Sequence, residues 1–228
     1  MGLNGRQLDI LDFLKQTRHA TVDKIAKAFY VSPMTVRRDL SVLENAKCVR
    51  RYSGGAMFIQ NVNKLPVDCR TFERSDEKKA LCRAAAKHVK NGMTIFIDSS
   101  STCTFLPQFL NEAEGILIIT NSIIIPTLSD IPCTVIGGSF LASDMCLVGA
   151  SAVAAVKNLH ADAGFYSAMG INNGIITDAN EDQSVIRREM IGNCDKNFFL
   201  MTEDKVGKTF TYKISDETQS AIIRTKNV

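Results

Sequence analysis

No stretch of the chain approaches the roughly 20 consecutive apolar residues that a membrane-spanning helix needs. The longest candidate, Gly115 to Pro126, is interrupted by Thr120, Asn121 and Ser122. The N-terminus carries Asn4, Arg6, Gln7, Asp9 and Asp12 where a secretory signal would have an apolar core. A soluble, cytoplasmic protein with no membrane partner is expected. Paired cysteines are lacking too: the seven, at 48, 69, 82, 103, 133, 146 and 194, form no C-x-x-C. That argues against a zinc cage or a disulfide framework, and for buried thiols in a reducing compartment. Neither glycine-rich nucleotide fingerprint occurs, so no cofactor and no metal are expected. Only three histidines are present, His19, His88 and His160, and their spacing pairs none with a carboxylate.

What is there suffices for folding. The 228 residues are 45% hydrophobic, which excludes wholesale disorder and allows one large domain or a small and a larger one. The net charge of +3 is unevenly spread: residues 1–60 hold ten basic and five acidic residues, whereas the remainder holds 17 and 19. A basic head on a slightly acidic body suggests a polyanion-binding module joined to something else, unless the imbalance is a fluctuation of surface charge.

The head reads as three short helices and a hairpin. Leu8, Leu11 and Leu14 share helical spacing between about Arg6 and Gln16, and Thr21 is placed to cap a second helix with Val22, Ile25, Ala26 and Phe29 on its apolar face. Ser32-Pro33 is a strong start signal for a third. In that helix Val36, Leu40 and Leu43 form an inward stripe, and Met34, Arg38, Ser41 and Asn45 lie opposite, with Thr35 at the edge and Arg37 on the flank. A polar, basic face near a helix N-terminus suits entry into the DNA major groove. Thr35, Met34 and Arg38 are expected to reach base edges, and Arg37, Ser32 and the first turn at Pro33 to meet phosphate. Ser41 belongs to the same face. A strand at Cys48-Val49-Arg50-Arg51-Tyr52, a Gly54-Gly55 turn and a return strand at Ala56 to Ile59 make a wing, with Arg50, Arg51 and Tyr52 at its base. Against this stands the reading of a solvated surface helix, and Val42 near the exposed face has no place in a groove.

The run Val31-Ser32-Pro33-Met34-Thr35-Val36-Arg37-Arg38-Asp39-Leu40, with Leu43-Glu44 and Arg51-Tyr52-Ser53-Gly54-Gly55-Ala56, resembles the signature of DeoR-type bacterial regulators. Ser53 stands where a histidine is common. The resemblance implies a winged helix-turn-helix over 1–60 that binds double-stranded operator DNA.

A linker is expected at 61–70 and an α/β domain at 71–228. After a helical pattern from Thr71 to Lys90, strands are expected at Thr94–Ile97, Ile116–Thr120, Cys133–Ile136, Ala163–Ala168 and Asn197–Thr202. Helices are expected between them: Thr102 to Glu112, a short one to Ser129, Gly149 to Leu159, and Asp182 to Asn193. Such alternation predicts a mostly parallel sheet, which binds ligands at the C-terminal strand ends. Those ends offer Asp98-Ser99-Ser100-Ser101-Thr102, then Thr120-Asn121-Ser122, then Gly137-Gly138. Hydroxyls and close backbone N–H groups suit an anion, Asp98 would accept from sugar hydroxyls, and Lys205 would neutralise charge. A phosphorylated polyol fits this set. Each loop alone is ordinary turn chemistry.

With Gly149 and Asp204-Lys205-Val206-Gly207, these loops resemble the DeoR C-terminal sensor domain. The resemblance implies a fold similar to ribose-5-phosphate isomerase and a phosphorylated sugar effector. Departures from the family pattern are Ser100 for Gly, Ser101 for Thr, Leu141 for Arg, Gln183 for Glu and Thr202 for Asp. The expectation is a repressor of a sugar-metabolism operon, relieved by a phosphorylated sugar intermediate and acting as a homo-oligomer, dimer or tetramer. Two alternatives stay open. One is a phosphosugar isomerase or related enzyme, with Asp98, Asp178, Glu181 and Asp182 as candidate carboxylates. The other is a nucleic-acid binder without sequence preference, though the head lacks a stacking platform.

Overall fold

Asn4 opens the first helix by reciprocal capping: its side chain accepts from Gln7 N at 3.0 Å, and Gln7 Oε1 accepts from Asn4 N at 3.0 Å. The computed structural model describes residues 3–46, 48–59 and 67–227, in two units, Met1–Glu73 and Arg74–Val228. In the first, α1 (Gly5–Thr17) leads through β1 (His19–Thr21) to α2 (Val22–Phe29), which Thr21 caps by accepting from Lys24 N at 3.2 Å. Ser32 caps α3 (Pro33–Asn45) by accepting from Thr35 N at 3.2 Å. The wing is β2 (Val49–Tyr52) and β3 (Gly55–Phe58), and β1 joins it as a third strand in the order β1-β3-β2. Gly55 is required there: a Cβ would collide with the Ala20 carbonyl of β1 and with the Tyr52 ring.

Ile10, Leu11, Leu14, Ile25, Val36, Leu40 and Leu43 fill the core of this unit. Leu8 does not join them; it is half-buried, and Gln7 takes the buried position beside Ile10. The reason is polar. Gln7 Nε2 donates to Asp39 Oδ1 at 3.2 Å, and Arg6 Nε donates to Asp39 Oδ2 at 2.7 Å, so buried Asp39 ties α1 to α3. The Arg6 guanidinium is held more firmly charged by the hydrogen bond and the charge of Asp39. Of the linker expected at 61–70, residues 61–66 lie outside the described residues, and the last four belong to α4 (Val67–Phe72).

The second unit begins with α5 (Ser75–Ala86). Six parallel strands follow: β4 (Thr94–Ile97), β5 (Leu117–Thr120), β6 (Cys133–Val135), β9 (Ala161–Tyr166), β12 (Cys194–Met201) and β14 (Ala221–Arg224). A hairpin of β7 (Ser139–Leu141) and β8 (Cys146–Val148) and the helix α6 (Ala150–Val156) lie between β6 and β9. A small antiparallel sheet is built by β10 (Gly170–Asn172), β11 (Ile175–Asp178) and β13 (Tyr212–Asp216), and α7 (Glu181–Gly192) precedes β12. The large sheet runs β14-β12-β9-β4-β5-β6. In chain order its first three strands build outward one way from β4 and its last three the other way from β9. The strand order therefore reverses between β4 and β9, and at such a switch point parallel sheets open a crevice beyond the strand ends.

Both faces of the sheet are covered. Phe96, Ile119, Tyr166 and Phe199 pack with Ala152 and Val156 of α6 and Ile186 and Met190 of α7. Ile95, Ile97, Ile118, Phe165 and Leu200 pack with Leu81, Cys82 and Ala85 of α5. Two buried faces explain why these strands read as unbroken apolar runs. The helix expected from Thr102 to Glu112 is instead a 3₁₀ segment, Cys103–Phe109, with Pro107 inside it. Proline has no N–H to continue an α-helical ladder. The hairpin β7–β8 and the strands β10, β11, β13 and β14 were not expected. Cys82, Cys103, Cys133, Cys146 and Cys194 are free, as read; Cys48 is disulfide-bonded, so the expectation of thiols fails at that position.

Candidate nucleic-acid interface and ligand site

The outward face of α3 is built as its spacing requires. Met34, Arg37 and Arg38 are exposed, as are Ser32 and Pro33 at its start and Arg50, Arg51 and Tyr52 on the wing; Thr35 and Ser41 are partly buried. These ten residues divide by what already holds them. No acidic side chain among the described residues pairs with Arg37, Arg38 or Arg50. Arg51, in contrast, donates through its backbone to Glu44 Oε1 at 2.9 Å and through its guanidinium to Ser41 Oγ, which in turn donates to the Arg37 carbonyl at 2.9 Å. Thr35 Oγ1 lies 2.9 Å from Ser32 Oγ, and the Tyr52 hydroxyl donates to the Ala20 carbonyl at 3.3 Å. Thus Arg51 and Tyr52 lock the wing to α3 and β1, and the unengaged cations are Arg37, Arg38 and Arg50.

In the second unit the expected loops do follow the C-terminal ends of neighbouring strands: 98–102 after β4, 120–122 at β5, and 137–138 after β6. Most of their hydroxyls build the loops themselves. Ser100 N donates to Asp98 Oδ1 at 3.0 Å, Ser100 Oγ accepts from Cys103 N, Thr120 Oγ1 accepts from Ser122 N, and Ser122 Oγ accepts from Ile124 N. Ser99 Oγ donates to Gln183 Oε1 at 3.1 Å, and Gln183 Nε2 donates to Cys146 Sγ at 3.0 Å, binding the first loop to α7 and β8. Burial pushes the Cys146 thiol up to about 11. Gly137 and Gly138 are exposed, and Gly138 is fixed by packing: at φ +154° a Cβ would sit 2.6 Å from the Val148 carbonyl oxygen.

Among the described residues four buried side-chain oxygens have no hydrogen-bond partner, Glu203 Oε1, Thr225 Oγ1 and, in these loops, Thr102 Oγ1 and Asn121 Oδ1, whose residues have no exposed surface. The Asn121 amide cannot simply be reversed, because its Nδ2 donates to the Leu147 carbonyl at 3.2 Å. A buried, unsatisfied oxygen costs about 1–3 kcal/mol, and in a native fold it calls for an explanation such as a ligand.

Asp98 is not the open acceptor that the sequence suggested. It is fully buried, and its oxygens accept from Ser100 N, from Ser167 N at 3.2 Å and from Arg187 Nε at 2.7 Å. Arg187 Nη1 also donates to Asp178 Oδ2 at 2.8 Å. Burial opposes the Arg187 charge, yet Asp98 and Asp178 outweigh it and hold the guanidinium charged. A carboxylate clamped in this way is a poor general base, and Glu181 and Asp182 are exposed at the start of α7. Among the described residues the one histidine–carboxylate contact, His160 Nε2 to Asp195 Oδ1 at 3.2 Å, lies on the surface at the opposite ends of β9 and β12.

Spacing alone missed three residues here. Ser167 follows β9 at the switch point, and its hydroxyl donates to the Leu200 carbonyl and accepts from Lys205 Nζ at 2.7 Å. Lys78 of α5 is buried and donates to Ser101 Oγ at 3.2 Å. Arg187 of α7 joins Asp98 to Asp178. Lys205, expected near the site, is brought to it through Ser167. Thr202 Oγ1 donates to Asp204 Oδ1 at 2.6 Å. Burial alone would raise Asp204, but the Thr202 hydroxyl, Arg74 and Lys205 outweigh it and lower its pKa.

Comparison with known families decides the class. The model of the DeoR C terminal sensor domain matches residues 73–226, and that of the DeoR-like helix-turn-helix domain matches residues 6–62. The chain belongs to the DeoR family. This DeoR-family chain is 31% identical over 216 residues to the HTH-type transcriptional repressor GlcR of Bacillus subtilis (strain 168), covering 92% of this chain and 83% of that protein. It is 25% identical over 208 residues to the glycerol-3-phosphate regulon repressor of Escherichia coli (strain K12), covering 89% and 82%. The DeoR family members named here are DNA-binding transcriptional regulators.

Among solved structures, eIF2B delta from Chaetomium thermophilum shares the fold of 67% of this chain and 56% of that one, at 10% identity and a TM-score of 0.50. A D-ribose-5-phosphate isomerase in complex with phospho-erythronic acid matches 58% of this chain and 54% of its own, at 15% identity and a TM-score of 0.44. The chain thus spans about half the length of those two proteins. Among the described residues no helix is long and apolar enough to cross a membrane, and no cluster of three or more ligating side chains could hold a metal ion.

Proposed function

We propose that this chain represses a sugar-metabolism operon and that a phosphorylated sugar intermediate, bound at the strand ends of the second unit, relieves the repression. The helix α3 reads double-stranded operator DNA, with Met34, Thr35 and Arg38 toward base edges. Ser32, Pro33, Arg37 and Arg50 face phosphate, and Ser41, Arg51 and Tyr52 hold the wing against the helix. One such head contacts too little DNA for specific affinity, so the protein acts in the cytoplasm as a homo-oligomer, a dimer or tetramer. The effector binds one quaternary arrangement better than another and so shifts the spacing of the heads.

The observation that carries the ligand reading is the pair of buried, unpartnered oxygens, Thr102 Oγ1 and Asn121 Oδ1, at the ends of adjacent strands β4 and β5. Asn121 Oδ1 takes a hydroxyl hydrogen from the sugar, and Thr102 Oγ1 donates to it or to its phosphate. Lys78, bonded to Ser101, and Lys205, bonded to Ser167, supply positive charge, and Ser99 to Ser101, Thr120, Ser122, Gly137 and Gly138 shape the loops. Asp98 acts through Arg187 and Ser167, as a positioning group. A name such as glycerol-3-phosphate regulon repressor among the relatives supports this ligand class.

A thermal-shift screen against phosphorylated sugars and their unphosphorylated parents tests it. A ligand at 100 times its dissociation constant stabilises by about 2.7 kcal/mol. A shift with a phosphorylated compound and none with its parent is the expected result; no shift across the panel would sink the phosphosugar reading.

A further inference from the structure

Tyr30 ends α2 in a way that no packing requirement explains. Its backbone is left-handed, with φ 53° and ψ 40°, and its N–H bonds back to the Ala26 carbonyl to close the helix. Glycine or asparagine is the usual residue in that conformation, because a Cβ crowds the neighbouring carbonyl. A tyrosine there accepts that crowding with no burial in return: Tyr30 is 96% exposed, more than any other large hydrophobic side chain described. Its hydroxyl has no partner among the described residues. An aromatic held out into water from a strained position is a candidate for contact with something outside the fold.

Its place in the unit says what that something is. Tyr30 lies two residues before Ser32, the cap of α3. It lines a notch of about 630 Å³ with Lys27 and Pro33, the first residue of that helix, and with Ala26, Val31 and, two turns back along α2, Asp23. Met34, the next residue after Pro33, is 71% exposed. The Lys27 ammonium is exposed, and no acid among the described residues pairs with it. A nucleic-acid strand passing the N-terminal end of the reading helix meets here an ammonium and a phenol side by side, both hydrogen-bond donors, on an apolar floor. A sugar–phosphate backbone presents the complement: phosphate oxygens to accept and a deoxyribose face to lie on the ring.

We propose that Tyr30 and Lys27 form a backbone clamp on operator DNA, in which the Tyr30 hydroxyl and the Lys27 ammonium donate to phosphate oxygens and the Tyr30 ring covers the adjoining sugar. The clamp rests on the DNA-binding reading above. It adds no base recognition; it fixes how deeply and at what angle α3 enters the groove.

The test uses the full chain and two probes. One is a duplex enriched from random sequence by the wild-type protein; the other is a random 40-base-pair duplex at low salt. Tyr30→Gly removes the side chain and relieves the backbone, so the melting temperature stays or rises while affinity falls about five- to tenfold on both duplexes. Tyr30→Phe keeps the ring and loses about two- to fivefold. Lys27→Gln weakens binding and lowers the salt slope by about one ion, whereas Tyr30→Gly leaves the slope unchanged because no counterion is released. Wild-type affinity in Tyr30→Gly, on both duplexes, overturns the clamp and leaves Tyr30 a tolerated irregularity or a contact for another protein. Failure of the wild-type protein to enrich or bind any duplex overturns the DNA reading itself.

Discussion

The two units spend the same kind of residues in opposite ways. In the first, the polar residues of the motif stand outward, and Arg37, Arg38 and Arg50 are left unengaged at the surface. In the second, the hydroxyl-rich motif is turned inward, and all but two of its residues' side-chain oxygens are engaged, either within their own loops or with α5, α7 and Ser167. A surface that meets a large polyanion can afford cations waiting in water. A site for a small ligand must hold its shape without the ligand, so most of its polarity is structural. The practical lesson is that the motif residues of the head are mostly exposed while those of the body are mostly engaged within the fold, so in the body the unsatisfied atoms carry the information.

Breaking that contrast should have its largest effect at Arg187. Substitution to Met strands Asp98 and Asp178 in the interior, and a loss of about 3–5 kcal/mol is expected in urea unfolding. A loss under 1 kcal/mol would mean that water reaches the triad. Arg38→Ala is the mirror case. It should leave stability within about 0.5 kcal/mol of wild type, yet weaken binding to a selected duplex by about 1–3 kcal/mol if the guanidinium reads a base. Equal weakening on random DNA would reassign Arg38 to phosphate.

Thr102→Val sharpens the comparison from inside. It removes an unsatisfied buried oxygen, so stability should hold or rise by up to about 1 kcal/mol, while the thermal shift with phosphosugar is lost. A retained shift would make the hydroxyl a packing imperfection. The smallest effect concerns pH. Cys146 titrates near 11 in the folded chain, chiefly because it is buried, and near 8.5 when unfolded. The unfolded chain therefore gives up this proton first. The contribution is intact below about pH 8.5 and declines as pH rises toward 11. Unfolding midpoints at pH 8 and 10 should differ less in Cys146→Ala than in wild type; equal differences would refute the assignment.

Much of this architecture was legible because it depends on neighbours in the chain. Thr21 and Ser32 cap their helices from within three residues, Pro33 takes the first helical position, and the wing turn at Gly54-Gly55 is equally local. The apolar strands announce themselves by being buried on both faces. Illegible were pairings that the fold alone brings about: Asp39 with Arg6, 33 residues away, and Asp98 with Arg187, 89 residues away. The first put Gln7 where Leu8 was expected, and the second turned a presumed ligand acceptor into a support. The four unexpected outer strands are short, three to five residues each, and the β7–β8 hairpin is no longer. At that length side-chain alternation hardly differs from chance.

The reversal between β4 and β9 has a consequence for signalling. Each half of the large sheet is contiguous in sequence, three strands on one side of the seam and three on the other. The two halves meet where Asp98 of one accepts from Ser167 of the other. The β4–β9 ladder already joins these halves, and a ligand that touched both the loop after β4 and Ser167 would act as a keystone, adding one more tie between two separately built lengths of chain.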